Sequence, residues 1–183
     1  MTSGDEARRL LAQADLIISG EEVGRALDRL AAGITAEMGE RFPVVLTVMR
    51  GGVFLAGQLL PRLAFPLEFD YLHATRYHGT TGGPSIAWKV GPPESVRGRC
   101  VLVLDDILDE GHTLAAIVEA LGEAGAAEIR VAVLCEKRTG RDKPIRADHV
   151  GFEVPDRYVF GCGMDVDGAW RNLPAVYALG EAA

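Results

Sequence analysis

The chain has no long hydrophobic run. No segment reaches the roughly 18 consecutive apolar residues that a bilayer-spanning helix needs, and the opening stretch, MTSGDEARRLLAQADLIISG, has no apolar core behind a basic start. A soluble, cytoplasmic protein is expected. Cysteine is scarce too: Cys100, Cys135 and Cys162 are odd in number and lack Cys-x-x-Cys spacing, which argues against a disulfide framework or a zinc ribbon. The first two lie in or beside apolar strands, the usual place for buried free thiols in a reducing compartment. Positive charge is in deficit, with 19 Lys and Arg against 26 Asp and Glu and a net charge of −7. That leaves no broad basic field for nucleic acid, although a small anion held by a few local cations is compatible with it. His73, His78, His112 and His149 have no metal-ligand spacing. No Gly-x-x-x-x-Gly-Lys-Ser/Thr pattern, repeat or Ser/Pro-rich linker occurs, so neither a nucleotide-triphosphate P-loop nor a divided chain is expected.

What is present fits one α/β domain, since 183 residues at 48% hydrophobic content can bury about 70% of the unfolded surface. Residues 21–39 carry Val23, Leu27, Leu30, Ile34 and Met38 at helical spacing, with Ser19 as N-cap. VVLTVM (44–49) is apolar throughout and too short for a helix; it ends at Arg50-Gly51-Gly52, and VFLAGQLLPRL then reads as helical. The same order returns at 101–121. There VLVL leads into an acidic turn and then into TLAAIVEALGEAG, whose Leu114, Ile117, Val118 and Leu121 share a face and whose Gly125 suits the C-terminal cap. RVAVLCE (130–136) is a further strand. Such alternation predicts a mostly parallel sheet flanked by helices, with ligands at the carboxyl ends of its strands. HVGFEVPDRYVFG and AVYALG read as short strands that either extend the sheet or cap its edge, while HGTTGGPS (78–85) and GPPES (91–95) are loops.

The segment VLVLDDILDEGHTL (101–114) concentrates the chemistry. Where a strand gives way to a helix, backbone N–H groups and the positive helix end form an anion cradle, here around Asp109-Glu110-Gly111-His112-Thr113, with Gly111 allowing the tight turn and the Thr113 hydroxyl adding a donor. Asp105 and Asp106 would repel a phosphate unless something cationic or hydrogen-bond donating stood between. Ribose hydroxyls are such donors, and Mg²⁺, satisfied by oxygen ligands, is such a cation. Capping the helix needs only one acid, so four carboxylates in this order point to a phosphorylated sugar with a metal-bound leaving group.

This segment resembles the phosphoribosyl pyrophosphate (PRPP) motif of the type I phosphoribosyltransferases, and within them the chain is similar to the hypoxanthine-guanine phosphoribosyltransferases from DLIISGEEVGRALDRLA (15–31) to YALGE near its end. The resemblance implies the type I phosphoribosyltransferase fold: a single domain with a core over about 35–150 and a small hood, from segments 1–20 and 151–183, over the carboxyl edge. It implies Mg-dependent transfer of phosphoribosyl from PRPP to hypoxanthine or guanine, and a homodimer or homotetramer. Asp105 and Asp106 would hold the ribose hydroxyls directly or through Mg²⁺, Asp109 would be the acid/base group near purine N7, and Glu110, Gly111, His112 and Thr113 would cradle the 5-phosphate. Many relatives have Asp-Thr-Gly-Lys-Thr in this loop, so Glu110 and His112 are departures.

VMRGGVF resembles the family's pyrophosphate loop, with Arg50 in place of a frequent lysine and Gly51 at the turn; the family often has a cis bond there, between Met49 and Arg50 here. Lys137 in CEKRTG would donate to the exocyclic oxygen of a 6-oxopurine, an atom that accepts where adenine's amino group donates. Tyr158 would stack on the base, Val159 would contact its edge through the backbone, Asp165 would lie beside base and Mg²⁺, and Arg171 would bind pyrophosphate. ATRYHGTTGGPSI (74–86) resembles the mobile loop that closes over the site, with Arg76-Tyr77 where many relatives have Ser-Tyr. Two other functions share the cradle: a PRPP-sensing regulator that binds RNA, which the −7 charge disfavours, and the same transfer to xanthine.

Overall fold

In the computed structural model, which describes residues 2–77 and 85–180, the chain runs α1 (Gly4–Ala12), β1 (Asp15–Ile18), α2 (Gly20–Met38), β2 (Val44–Val48), α3 (Val53–Leu59), β3 (Glu68–Tyr77), β4 (Ser85–Val90), β5 (Cys100–Leu108), α4 (His112–Glu123), β6 (Glu128–Arg138), β7 (His149–Pro155), β8 (Val159–Phe160) and β9 (Val176–Ala178). The apolar runs become the middle of a six-stranded sheet of order β4-β3-β2-β5-β6-β7. All neighbours pair in parallel except β4, which returns antiparallel along one edge.

Strand periodicity sorts the core into two layers. Val45, Leu102, Leu104, Ala132 and Leu134 pack on the side of α2 and α3, against Leu27, Leu30, Ile34, Leu55 and Leu59. Val44, Leu46, Val101, Val103, Val131 and Val133 face the side of α4 and meet Leu114, Ile117 and Leu121. Continuous apolar runs are therefore required, because both faces of the sheet are covered. Helix ends form as the sequence predicts. Ser19 and Glu22 make a reciprocal capping box at the start of α2, and Gly125, at φ 91°, ends α4 with Ala126 N–H donating to Leu121 O.

A second, three-stranded antiparallel sheet of order β1-β9-β8 joins the two ends of the chain. Arg157 fastens it, donating to Asp15 Oδ2 and to Leu179 O at 2.6 Å each, and Trp170 Nε1 donates to Ala7 O of α1 at 2.7 Å.

HVGFEVP, left open between extending the sheet and capping its edge, extends the main sheet as β7 beside β6. Two expectations change. Asp105 and Asp106 lie within β5, not in a turn after it, because pairing with β6 continues through Leu108↔Glu136. The segment 74–86 is not all loop: Arg76 and Tyr77 are in β3, Tyr77 pairs with Ser85, and residues 78–84 lie outside the described residues. No helix among the described residues is long and apolar enough to cross a membrane.

Candidate active site

The carboxyl ends of β2, β5 and β6 lie side by side because those strands are parallel neighbours. After β2, the Met49–Arg50 peptide is cis, as the resemblance implies. Gly51 then passes so close to the end of β5 that a Cβ there would lie 2.0 Å from Asp106 Oδ2. A side chain there would force either the turn or Asp106 to shift, which is the physical reason for glycine next to Arg50. Arg50 itself is exposed.

Asp106 is 8% exposed and Asp105 is half-buried. Asp105 Oδ1 accepts from Asp106 N–H at 2.9 Å, and Asp106 Oδ1 accepts from Ile107 N–H at 2.8 Å. Burial and the neighbouring charge of Asp106 push Asp105 well above the ordinary carboxylate range, and burial raises Asp106 as well. A buried acid pair of this kind favours a proton, a donor or a cation beside it. Gly111, the N-cap of α4, stands at φ 83° and brings no side chain to the helix start. Asp105, Asp106, Asp109, Glu110, Gly111 and Thr113 line one cleft; His112, the first residue of α4, is exposed and does not line it.

A second cleft of about 240 Å³ opens on the other side of Asp106, Ile107 and Asp109, and adds Lys137, Tyr158, Val159, Met164, Asp165 and Arg171. Lys137 leaves the end of β6 with its side chain only 13% exposed, and its Nζ donates to Asp109 Oδ2 at 2.7 Å. Residues of and after β8 supply further lining. Tyr158 is 54% exposed and donates its hydroxyl to Asp165 O at 3.1 Å, while Val159 is buried. Arg171 pairs with Asp165 Oδ1 and donates to Gly163 O at 2.6 Å, and Asp165 Oδ2 accepts from Gly168 N–H at 2.7 Å.

The oxygen donors suit a hard cation, with a restriction. Among the described residues no group of three or more His, Cys, Asp and Glu could hold a metal, and both Asp165 oxygens are already engaged. Mg²⁺ therefore fits as an ion held by one or two carboxylates, Asp105 and Asp106, with substrate oxygens completing its shell.

The fold thus brings Asp105, Asp106, Asp109, Glu110, Gly111 and Thr113 into one cleft and Lys137, Tyr158, Val159, Asp165 and Arg171 into the adjoining one, with Gly51 against Asp106. Reading the sequence missed Ile107 and Met164, which line the second cleft. Ile107 could have been found from its place between the acids, whereas Met164 gave no signal.

A phosphoribosyl transferase domain model matches residues 14–168. The chain is similar to the hypoxanthine-guanine phosphoribosyltransferase of Bacillus subtilis, at 34% identity over 91% of this chain and 93% of that one, and to the hypoxanthine-guanine-xanthine phosphoribosyltransferase of Tritrichomonas foetus, at 33% over 91% and 92%. Among solved structures, a hypoxanthine-guanine phosphoribosyltransferase from Bacillus anthracis superposes with a TM-score of 0.79 at 25% identity, covering 91% of this chain and 98% of that one.

Proposed function

Because the chain belongs to the phosphoribosyl transferase domain family, we propose that it transfers the 5-phosphoribosyl group of PRPP to hypoxanthine or guanine, giving IMP or GMP and pyrophosphate, as a purine-salvage enzyme of the cytoplasm. The observation that carries the base assignment is the pairing of Lys137 with Asp109 at 2.7 Å in the wall of a cleft that adjoins the Gly111 cradle. On the major-groove edge of a 6-oxopurine, O6 and N7 are neighbours. A buried ammonium beside a carboxylate matches that edge: Lys137 donates to O6, and Asp109 takes the proton that N7 releases as N9 bonds to C1′ and the bond from C1′ to pyrophosphate breaks.

The other residues bind and orient. Tyr158 stacks on the base and Val159 meets its edge through the backbone. The N–H groups from Glu110 to Thr113 hold the 5-phosphate, which favours a helix N-terminus. Arg50 and Arg171 hold the pyrophosphate, to which guanidinium offers paired donors. Asp105 and Asp106 would hold Mg²⁺, which would supply positive charge beside the leaving pyrophosphate. Asp165 positions Arg171. A homodimer or homotetramer is the expected assembly.

The test is an assay of purified protein with PRPP, Mg²⁺ and each purine. Turnover of hypoxanthine or guanine but not adenine is expected; PRPP binding without turnover of either 6-oxopurine would overturn the reading. The Tritrichomonas relative's name adds xanthine as a second acceptor, and competition against hypoxanthine separates the two.

A further inference from the structure

The loop after β6 carries a lysine that is buried without touching the cleft. Lys143 is 10% exposed at its side chain, and its Nζ donates to three acceptors: Lys137 O at 2.7 Å, Glu136 Oε1 at 2.9 Å and Leu108 O at 3.1 Å. An ammonium has three N–H donors, so all are used. Lysine is seldom buried, and then only where its charge is matched.

The acceptors mark a particular place in the sheet. Pairing of β5 with β6 runs to Leu108↔Glu136. The residue that follows β5 is Asp109 and the next on β6 is Lys137, the two side chains that meet at 2.7 Å. No further rung of the β5–β6 ladder holds their backbones together. Lys143 does so instead, binding the carbonyl that precedes Asp109 and the carbonyl of Lys137 itself. We propose that Lys143 is a positioning residue for 6-oxopurine recognition: it cross-links the two strand ends beyond their last rung and so sets the spacing at which Asp109 and Lys137 meet N7 and O6. This rests on the base assignment above.

The need is geometric. N7 and O6 are fixed relative to each other by the rigid base, so both contacts form together only if the two side chains start from strand ends at a set separation. A displacement of about 1 Å costs roughly 10²-fold in rate. The phosphate cradle follows Asp109 on the far side and does not involve Lys137, so PRPP binding is expected to be spared.

The test is a double-mutant cycle in steady-state kinetics, with the melting temperature recorded on each preparation. Lys143→Met is expected to lower kcat/KM for hypoxanthine by roughly 10²-fold while leaving KM for PRPP unchanged, and Lys143→Arg, which keeps charge and donors, is expected to recover much of the loss. In a Lys137→Gln background the Lys143→Met loss should shrink sharply, because residues that act through one another are not additive. Equal losses in both backgrounds, or wild-type constants for Lys143→Met, would overturn the proposal, as would a fall in the PRPP and hypoxanthine parameters together. If Lys143→Met does not fold, Lys143→Gln, which removes the charge and is too short to keep all three contacts, is taken through the same cycle with the same criterion. A wild-type protein that turns over no 6-oxopurine defeats the base assignment; a wild-type protein that does, with an additive cycle, defeats only the role of Lys143.

Discussion

Lys137 Nζ donates to Asp109 Oδ2 at 2.7 Å, joining the residue after the last β5–β6 rung on one strand to its counterpart on the other. The ammonium is the more buried partner, 13% exposed against 41% for the carboxylate. A buried cation needs an acceptor whether or not a base is bound, and Asp109 supplies one. Because an ammonium has three donors, Lys137 would, in the proposed reaction, bond to O6 and keep Asp109, and the same contact would orient the carboxylate toward N7.

Lys137→Gln is expected to reduce kcat/KM for hypoxanthine by roughly 10–100-fold, the ~1.5–3 kcal/mol of a hydrogen bond to a charged group, and to narrow the preference over adenine. Asp109→Asn should lower kcat by about 10²–10⁴-fold, the range for a lost general base, while PRPP still binds by calorimetry. Unchanged selectivity in the first, or wild-type turnover in the second, removes that residue from its role.

Gly51→Ala tests the closest approach in the site. The new methyl would lie 2.0 Å from Asp106 Oδ2, so either the turn or the acid must move. Turnover is expected to fall by at least tenfold, of the order that misplacement by a fraction of an ångström costs, with KM for PRPP raised. Full activity in this variant would show that the loop and Asp106 move apart freely.

The acid pair gives stability a pH dependence. Asp105 is pushed well above its ordinary value of 3.8 by burial and by Asp106, and Asp106 is raised by burial. The folded chain therefore keeps protons that the unfolded chain has lost, so stability without ligand falls as pH rises from about 3.8 through the raised values. Melting curves over that window should show the fall. Mg²⁺ with PRPP should stabilise more toward its upper end, and Asp105→Asn should flatten the slope, raise the neutral-pH melting temperature and lose activity. A slope that survives Asp105→Asn must arise elsewhere.

The thiols near the site should be inert. Burial pushes Cys162 up to about 12 and Cys135 well above its usual range, the latter with help from the charge of Asp106. Since only the thiolate reacts, iodoacetamide at pH ~8 should leave both unlabelled in the native protein and label all three cysteines after denaturation. Native labelling of Cys135, read by mass spectrometry, would show that the sheet beneath the site opens.

Much of this was local, and so was legible in the sequence. Val44–Val48 and Val101–Leu104 are strands because nothing else suits short apolar runs between glycine-rich and acidic turns; Ser19 with Glu22 starts α2 by a contact three residues long. The acids and the Gly111 turn are likewise neighbours in sequence, so their sharing one cleft was legible as well. Other features depended on residues far apart in the chain. Asp105 and Asp106 continue β5 because β6 offers a ladder there, and β7 joins the sheet because β6 has a free edge. Lys143 is buried because three acceptors, from Leu108 to Lys137, converge where it folds back. In sequence it is one more charge in a polar loop. Periodicity and turn chemistry act within a few residues and determine the elements; hydrogen-bond ladders, buried charges and close approaches between strand ends are long-range terms, and only the tertiary structure decided them.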